Sequence, residues 1–292
     1  MNKHQDWLFL LACALLLIAC NCRAGQALTP PQEGNFALPT SQQPGPLISF
    51  GQNILNKNEI QLFISADDYA GVNKHFIDVI PAVLYGISDN LSLLINTPYA
   101  ASFETGSSKS TGFEDAFAQL EYVFYNGSNS SFSDQATIVI NVAAPTGSIR
   151  KDPATGNGSF SYFLGTTFNS TSVKWYYFVS PGAIFTTVKN GTKVGNSYLY
   201  QAGLGRNIAN WNGWLFAWVL EGDGTYTEKN KIGGMIDPNS GGNVVYVTPS
   251  LWAATKKFLF QFGVGLPVTQ HLFGSQSHGT LLVATNIGWS FY

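Results

Sequence analysis

The stretch Phe258-Leu259-Phe260-Gln261-Phe262-Gly263-Val264-Gly265-Leu266 alternates large apolar residues with a set that is mostly Gln and Gly. Successive side chains of a β-strand point to opposite faces, so one face of this segment suits lipid and the other suits an interior. The final segment, 280–292, repeats the alternation, with Leu282 as its exception. A soluble β-sandwich also alternates and is the competing interpretation.

The composition helps to separate a membrane barrel from a sandwich. Charged residues make up only 11% of the chain and aromatic residues 14%, whereas soluble proteins carry about 25% charged residues. After the N-terminus, no stretch approaches the roughly 18 uninterrupted apolar residues that a membrane helix requires. Low charge without a spanning helix favours an all-β fold, a single antiparallel transmembrane β-barrel over 59–292.

The N-terminus has the pattern of an export signal. Lys3 and His4 precede an apolar run from Trp7 to Ala19, which predicts a signal peptide over 1–24 with a second cleavage option after 27. The sequence Leu17-Ile18-Ala19-Cys20 also resembles a lipobox that would leave Cys20 acylated. All three cysteines lie in this region, so the predicted barrel has no disulfide framework and no thiol nucleophile.

A proline-rich stretch, 28–58, follows the signal and shows little periodicity. Prolines at this density predict extended or irregular chain. Two interpretations remain open: an unstructured periplasmic leader, or a short plug folded into the barrel. In the second case, the apolar anchors would be Leu47, Ile48, Phe50, Ile54 and Leu55.

About twelve alternating segments can be counted after residue 58, an even number as bacterial barrels require. They are 59–70, 76–86, 91–102, 114–125, 135–145, 159–169, 173–187, 196–207, 212–226, 243–253, 258–268 and 280–292. The connections tend to alternate between tight turns and longer loops, of which 103–112, 146–158, 227–242 and 269–279 are the long ones; 126–134 breaks the pattern. Short turns face the periplasm in this class, so both termini are predicted to be periplasmic and the protein to lie in the bacterial outer membrane.

Aromatic residues and prolines refine this picture. Nine aromatic residues fall toward segment ends, where a girdle at the membrane surface would place them: Tyr85, Tyr99, Tyr122, Tyr125, Trp175, Trp211, Trp214, Trp252 and Trp289. Pro81, Pro181 and Pro249 lie inside segments and predict local kinks. The aromatic C-terminus resembles the signal that the barrel-insertion machinery reads through the last strand, although here the apolar register belongs to Phe291 and is displaced by one residue.

The sequence contains no recognisable catalytic motif, and we predict that the protein is not an enzyme. No His-x-Ser pair of a phospholipase is present, and Asp67-Asp68 near His75 is the one protease-like group; neighbours in a strand point to opposite faces, so the two carboxylates do not share a water. His75, His271 and His278 are predicted to lie on loops. Glu221, Asp223 and Glu228 lack calcium-loop spacing and are interpreted as a flexible polar loop. No metal site, no cofactor and, at a net charge of −2, no nucleic-acid partner is expected.

The inward face of the predicted barrel is where a function would lie. Segment 114–125 places Asp115, Gln119 and Glu121 inward, opposite an apolar outward set, and Tyr246 is a further inward candidate. These four residues are the candidate solute-binding residues. The alternative is that they only fill and hydrogen-bond a narrow interior, because twelve strands leave little free volume.

Three short motifs carry a family resemblance. They are Tyr85-Gly86-Ile87-Ser88-Asp89-Asn90-Leu91 leading to Thr97-Pro98-Tyr99, then Gly112-Phe113-Glu114-Asp115, and Ala144-Pro145-Thr146-Gly147. They resemble the outer-membrane proteins of the phenol-degradation meta-pathway family, which are similar in turn to fatty-acid and aromatic-hydrocarbon uptake channels. The resemblance implies passive uptake of small hydrophobic compounds, with outer-membrane lipid and the solute as partners. The alternative is a surface barrel that transports nothing and acts through its loops or as a structural element.

Overall fold

The computed structural model describes residues 31–51 and 53–292. The predicted signal peptide, both cleavage options and Cys20 lie outside these residues. No helix in the described part of the chain is long and apolar enough to cross a membrane.

The described chain forms two short 3-10 helices followed by strands. The helices are η1 (Gly34–Ala37) and η2 (Thr40–Gln42). The strands are β1 (Ile60–Gly71), β2 (Lys74–Ser88), β3 (Leu91–Asn96), β4 (Tyr99–Thr105), β5 (Ser108–Phe113), β6 (Phe117–Ser128), β7 (Phe132–Ala143), β8 (Ser161–Ser172), β9 (Trp175–Thr186), β10 (Ser197–Trp211), β11 (Trp214–Thr227), β12 (Lys231–Ile232), β13 (Met235–Ile236), β14 (Gly242–Ala254), β15 (Phe258–Leu272) and β16 (Gly279–Phe291).

The sheet closes on itself as an antiparallel barrel. Strand β1 pairs with β2 on one side and with β16 on the other, so Ile60 lies opposite both Tyr85 and Phe291. Strands β3 and β4 both pair with β2 and act as one interrupted wall strand, and β5 and β6 continue each other in the same way. The wall therefore has twelve strands, while β12 and β13 form a separate hairpin. This confirms the predicted all-β barrel of about twelve strands.

The connections differ from the prediction in three places. The expected loop 103–112 is a tight hairpin of β4 and β5 with Gly106 at its turn. The first hairpin, between β1 and β2, is equally tight, so the alternation of tight turns and longer loops also fails there. The expected exception, 126–134, is a turn of three residues. All connections at the end that holds Ile60 and Phe291 have two or three residues, as periplasmic turns do.

The side chains of the wall alternate between lipid and interior. In β6, Leu120 is 43% exposed, while the neighbouring Glu121 is 1% exposed. Exposed large apolar residues follow the same alternation on most wall strands. Closure of the sheet pairs the backbone groups of the wall with one another, and the apolar outer face suits the hydrocarbon of a bilayer. Trp252 departs from the predicted girdle, because it is buried inside the barrel.

Each predicted kink coincides with a gap in strand pairing on one side. Pro81 lies where the partner of β2 changes from β3 to β4. Pro181 of β9 has no paired residue in β8, and Pro249 of β14 has none in β15. The strands themselves run through all three prolines. Proline lacks an N–H donor, so it is tolerated where the ladder is already open.

Parts of the three sequence motifs meet at one patch of the wall, while the stretch 85–91 of the first motif forms the periplasmic turn between β2 and β3. Pro98 separates β3 from β4, residues 114–116 separate β5 from β6, and Pro145 follows the end of β7. Two backbone hydrogen bonds connect them: the N–H of Glu114 donates to Pro98 O, and the N–H of Ala144 donates to Ala116 O. The loop 144–160 packs beside β5, where Thr155 donates a hydrogen bond to Phe113 O. The parts of the motifs around Pro98, Glu114 and Pro145 thus mark an irregular patch of the wall rather than a binding pocket.

Candidate functional site in the barrel interior

The segment 31–58 is here called the inner segment, and most of its described residues between 34 and 55 lie inside the barrel. The segment is fixed first at the periplasmic end, where Asn35 donates from its backbone to Val173 O and from its side chain to Ser172 O. It then rises to mid-barrel and follows the inner wall past β15, β11, β10, β8, β6 and β3 before it enters β1. The chain therefore doubles back within the interior.

Glu221 of β11 holds the middle of the inner segment. Its Oε1 accepts the backbone N–H of Leu47 at 2.6 Å, and its Oε2 accepts those of Ile48 and Ser49 at 3.1 Å each. Two residues further along the same strand face, Asp223 Oδ1 accepts the Ser49 hydroxyl at 2.6 Å. Hydrogen bonds to a carboxylate are stronger than those between neutral groups, so this pair is the main polar anchor.

Two more carboxylates bind the descending part of the segment. Glu121 accepts the Asn53 N–H at 3.0 Å, and its other oxygen accepts the Thr137 hydroxyl. Glu59 accepts the Asn56 side-chain amide at 2.8 Å and the Ser41 hydroxyl at 2.7 Å. The inner segment is therefore recognised largely through N–H and O–H donors.

Apolar side chains supply the second kind of anchor. Leu38 packs in a buried cluster at the periplasmic end: Leu215, Ala217, Trp252, Ala254 and Leu259. Higher up, the Phe50 ring meets the Phe163 ring edge-on, with centroids 4.5 Å apart. We call the site around this ring the Phe50 seat. Its floor is Gly165 and Gly182, where an added Cβ would lie 2.6 and 2.9 Å from the Phe50 ring.

Gly51 allows the chain to turn at mid-barrel. Its φ is +90°, and a Cβ at this position would collide with Cγ2 of Thr167. Only glycine adopts such a φ readily. The turn therefore depends on both the conformation and the absence of a side chain.

The space left beside the inner segment is small. A cavity of ≈ 60 Å³ lies between the segment and the wall, with Gln61, Phe63, Leu84 and Trp252 among its lining residues. At about 10–15 Å³ for one water, it has room for a few waters. An engineered cavity that binds benzene has about 150 Å³, so an aromatic solute does not fit in this cavity while the segment stays in place.

The four predicted solute-binding residues lie in different environments. Gln119 and Glu121 face inward from β6 and are buried. Tyr246 lies inward on β14, opposite Asp223 in the ladder, and its hydroxyl bonds that of Tyr69. Asp115 lies in the irregular patch, where its carboxylate accepts the N–H groups of Gly147 and Asn157 at 2.9 and 2.7 Å. The structure brings Gln119 and Glu121 together but leaves Tyr246 and Asp115 apart from them.

The sequence interpretation missed Glu221 and Asp223 as interior residues. They do not lie in a flexible loop but in β11, buried and facing the inner segment. The signal was present, because residues two apart in a strand share one face and both fall within the predicted segment 212–226. The glycine between them was taken as loop composition, whereas it occupies the other face of the strand.

The candidate catalytic residues point in different directions. Asp67 faces inward opposite Asp78, whereas His75 Nε2 lies 2.6 Å from Asp68 Oδ1 on the outer side. The two carboxylates therefore do not share one site. His75 and His271 lie in strands, β2 and β15, and not on loops as predicted; His278 does precede β16 in a loop. No cluster of three or more His, Cys, Asp and Glu residues suited to a metal ion occurs in the described ranges.

The structure is similar to a known outer-membrane channel. The COG4313 outer membrane channel from Pseudomonas putida F1 superposes with a TM-score of 0.69 and 15% identity, covering 84% of this chain and 100% of that chain. The NanC porin (TM-score 0.49, 9% identity, 79% and 99% covered) and the KdgM porin (TM-score 0.46, 10% identity, 80% and 99% covered) are more distant. No protein-family model and no curated protein sequence matches this chain.

The first of these similarities supports the fold, and at 15% identity it assigns no solute. A closed barrel of twelve strands with an apolar outer face is the architecture of bacterial outer-membrane proteins. The protein is therefore an outer-membrane β-barrel, located where the sequence predicted.

Proposed function

We propose that the protein is a channel for passive uptake of small hydrophobic compounds across the outer membrane. The observation that carries the proposal is the way in which the inner segment occupies the interior. Leu38 and Phe50 fill apolar sites on the inner wall, and Leu47 lies against Gly263. Sites that accept leucine and phenylalanine side chains have the shape and polarity that a small apolar solute requires.

The uptake path follows from this arrangement. A solute is captured among the extracellular loops and moves into the interior as the inner segment shifts, because the cavity beside the seated segment is too small for it. It then occupies sites such as the Phe50 seat and leaves toward the periplasm or through the wall. Gln119, Glu121 and Tyr246 are proposed to contact the solute, while Asp115 acts by holding the loop 144–160. The proposal contains no chemical step.

The sequence resemblance supports the same function. Parts of the motifs that resemble the phenol-degradation meta-pathway family form the irregular patch of the wall, and a similar wall architecture is consistent with a similar role. We propose that the chain is related to that family, with aromatic or fatty-acid-like compounds as the solute class.

The test compares an apolar with a polar solute in cells. A porin-deficient Gram-negative strain producing the protein is given N-phenyl-1-naphthylamine, whose fluorescence reports uptake, and a zwitterionic β-lactam hydrolysed by a periplasmic β-lactamase. Phe163→Ser makes the Phe50 seat polar and lowers the ratio of apolar to polar uptake roughly tenfold, because the apolar solute loses about 1.5 kcal/mol of burial at this site. Tyr162→Ser on the outward face of the same strand is the matched control. Equal uptake with and without the protein, or an unchanged ratio in Phe163→Ser, would overturn the proposal.

The packed interior also favours a second candidate. A barrel that transports nothing and serves as a structural or loop-binding surface protein would show such an interior. The same experiment separates the two, because this candidate predicts no uptake of either solute. Under this reading, displacement of the inner segment creates a leak without preference for apolar compounds.

A further inference from the structure

We infer that the passage through this barrel selects against anions, so that among hydrophobic solutes it admits neutral compounds and amines and excludes carboxylates. The inference rests on the proposed function and narrows its solute class, because it keeps the neutral and amine compounds of that class and removes fatty acids, which are carboxylates. Four carboxylates face the interior and are almost fully buried: Glu59, Glu121, Glu221 and Asp223. Asp67, Asp78 and Glu114 add three more toward the extracellular side.

No cationic side chain balances these groups within the interior as far as the structure describes it. Lysine and arginine residues lie in turns and loops or at strand ends. Arg206 is the one in the body of a wall strand, and it faces outward, with its guanidinium 5.2 Å from the Trp175 ring. Residues 31–56 of the inner segment contain no Lys or Arg. The interior therefore has a single sign of charge.

The contacts of the inner segment show what these carboxylates bind. Glu221 receives three backbone N–H groups and Asp223 one hydroxyl. The second oxygen of Asp223, Oδ2, has no hydrogen-bond partner although the residue is only 5% exposed. This oxygen is an acceptor that the seated segment leaves unused. A group with several N–H donors, such as an alkylammonium, matches both carboxylates once the segment has moved.

An anion meets the opposite situation. Displacement of the inner segment removes the N–H donors from Glu221 and leaves its charge facing the path. A cleft lined by one sign of charge concentrates counter-ions and excludes co-ions. A carboxylate solute would be repelled at the same sites that hold an amine, while an uncharged aromatic compound would be affected little.

The experiment measures ion selectivity of the full-length chain in planar bilayers. Gly51→Val opens the passage without changing any carboxylate, because the added side chain cannot be accommodated at φ +90° next to Thr167. The double variant Ser49→Ala/Phe50→Ala opens the passage by removing contacts of the inner segment. It replaces Gly51→Val if that variant does not insert into the bilayer. Reversal potentials are recorded in KCl gradients and then between benzylammonium chloride and potassium benzoate.

The expected result is a cation-to-anion permeability ratio of roughly ten in both opened variants, with benzylammonium preferred to benzoate. Adding Glu221→Gln and Asp223→Asn lowers the ratio roughly threefold, because these two carboxylates face the opened passage while the other inward carboxylates remain. Adding Glu104→Gln, which removes an outward-facing carboxylate at the rim, leaves it unchanged. A ratio near one before the carboxylates are removed, or no conductance in any opened variant, would overturn the inference.

These outcomes are distinct from failure of the proposed function. Cation selectivity without uptake of N-phenyl-1-naphthylamine would leave the inference standing and remove hydrophobic uptake. Uptake of that probe together with equal permeation of benzylammonium and benzoate would support hydrophobic uptake and overturn the inference.

Discussion

The wall of the barrel and the inner segment are held in opposite ways. The wall is a closed ladder in which each strand pairs with two neighbours over most of its length. The inner segment has few backbone–backbone hydrogen bonds to the wall, among them Asn35 to Val173 and Asn58 to Gly86. Its remaining polar contacts are with side chains, chiefly carboxylates of the wall. The wall is a cooperative sheet, and the inner segment is an irregular stretch of chain that is docked against it.

This difference indicates which part can move. Local stability ranges from near zero to the global value within one protein, and segments with few cooperative contacts open first. The inner segment can leave its sites without breaking any pairing between wall strands. The predictions below test this separation, beginning with the change that should disturb the segment most.

The largest effect is expected for Gly51→Val. A β-branched residue at φ +90° is strained by about 1–3 kcal/mol, and its side chain would also collide with Thr167. We expect the middle of the segment to leave its site and the passage to be open in planar bilayers at least roughly ten times as often, since every 1.4 kcal/mol is a factor of ten in the equilibrium constant.

Gly106→Val is the matched control for this change. Gly106 also has a positive φ, +60°, but a Cβ there meets no atom within 4 Å. It should carry the same backbone strain without opening the interior. Equal conductance in Gly51→Val and the unmodified protein would show that the segment does not close the passage.

Glu221→Gln should have the next largest effect. Glutamine offers one acceptor oxygen and turns an NH₂ group toward donors, so at least one of the three N–H bonds and the charge are lost. At about 1.5–3 kcal/mol for a hydrogen bond to a charged group, the segment should open roughly a hundredfold more often. Hydrogen exchange at the amides of Leu47, Ile48 and Ser49 measures this. Exchange unchanged in Glu221→Gln, and equal to that in Glu104→Gln, would mean that apolar packing alone holds the segment.

The sequence predicted the wall well because alternation is a local property. Leu120, Glu121 and Tyr122 can be assigned to faces from their spacing alone, and twelve such segments imply closure. Turn chemistry was read less well, because Asn212-Gly213 has the positive φ values of a tight hairpin, the pairing that Asn-Gly favours, yet it was placed inside the segment 212–226. The hairpin at Gly106 was missed because the Ser- and Gly-containing stretch around it resembles a loop.

The interior could be predicted only in part. Spacing placed Gln119 and Glu121 inward, but it could not show that Glu221 would receive three backbone N–H groups from residues more than 170 positions away. The path of residues 31–58 has no period to read, because it depends on individual contacts such as those of Asn35 and Phe50. Long-range contacts of an irregular segment are not encoded in local pattern.

Leu38→Ala tests whether the inner segment moves as one unit. Removing a buried leucine side chain costs about 2–5 kcal/mol, and here the loss falls on the cluster at the periplasmic end. We expect faster exchange at the amides of Asn35, Phe36 and Gln42, with Leu47 to Ser49 unchanged. Leu251→Ala, on the lipid-facing side, is the control. Equal acceleration at both ends of the segment would show a single cooperative unit.

The smallest effect is expected for Asp115→Asn, a change in the wall patch rather than in the interior. Asparagine retains one acceptor oxygen, so one of the two N–H bonds from Gly147 and Asn157 is weakened, at about 1 kcal/mol. Exchange at those two amides should rise about fivefold, while the amides of the inner segment and the uptake of N-phenyl-1-naphthylamine stay the same. Asp134→Asn, which alters one hydrogen bond from Ser170 at the periplasmic end, should affect neither. A fall in probe uptake as large as that in Phe163→Ser would instead make Asp115 a solute contact and the patch part of the path, which would end the separation between a fixed wall and a movable interior.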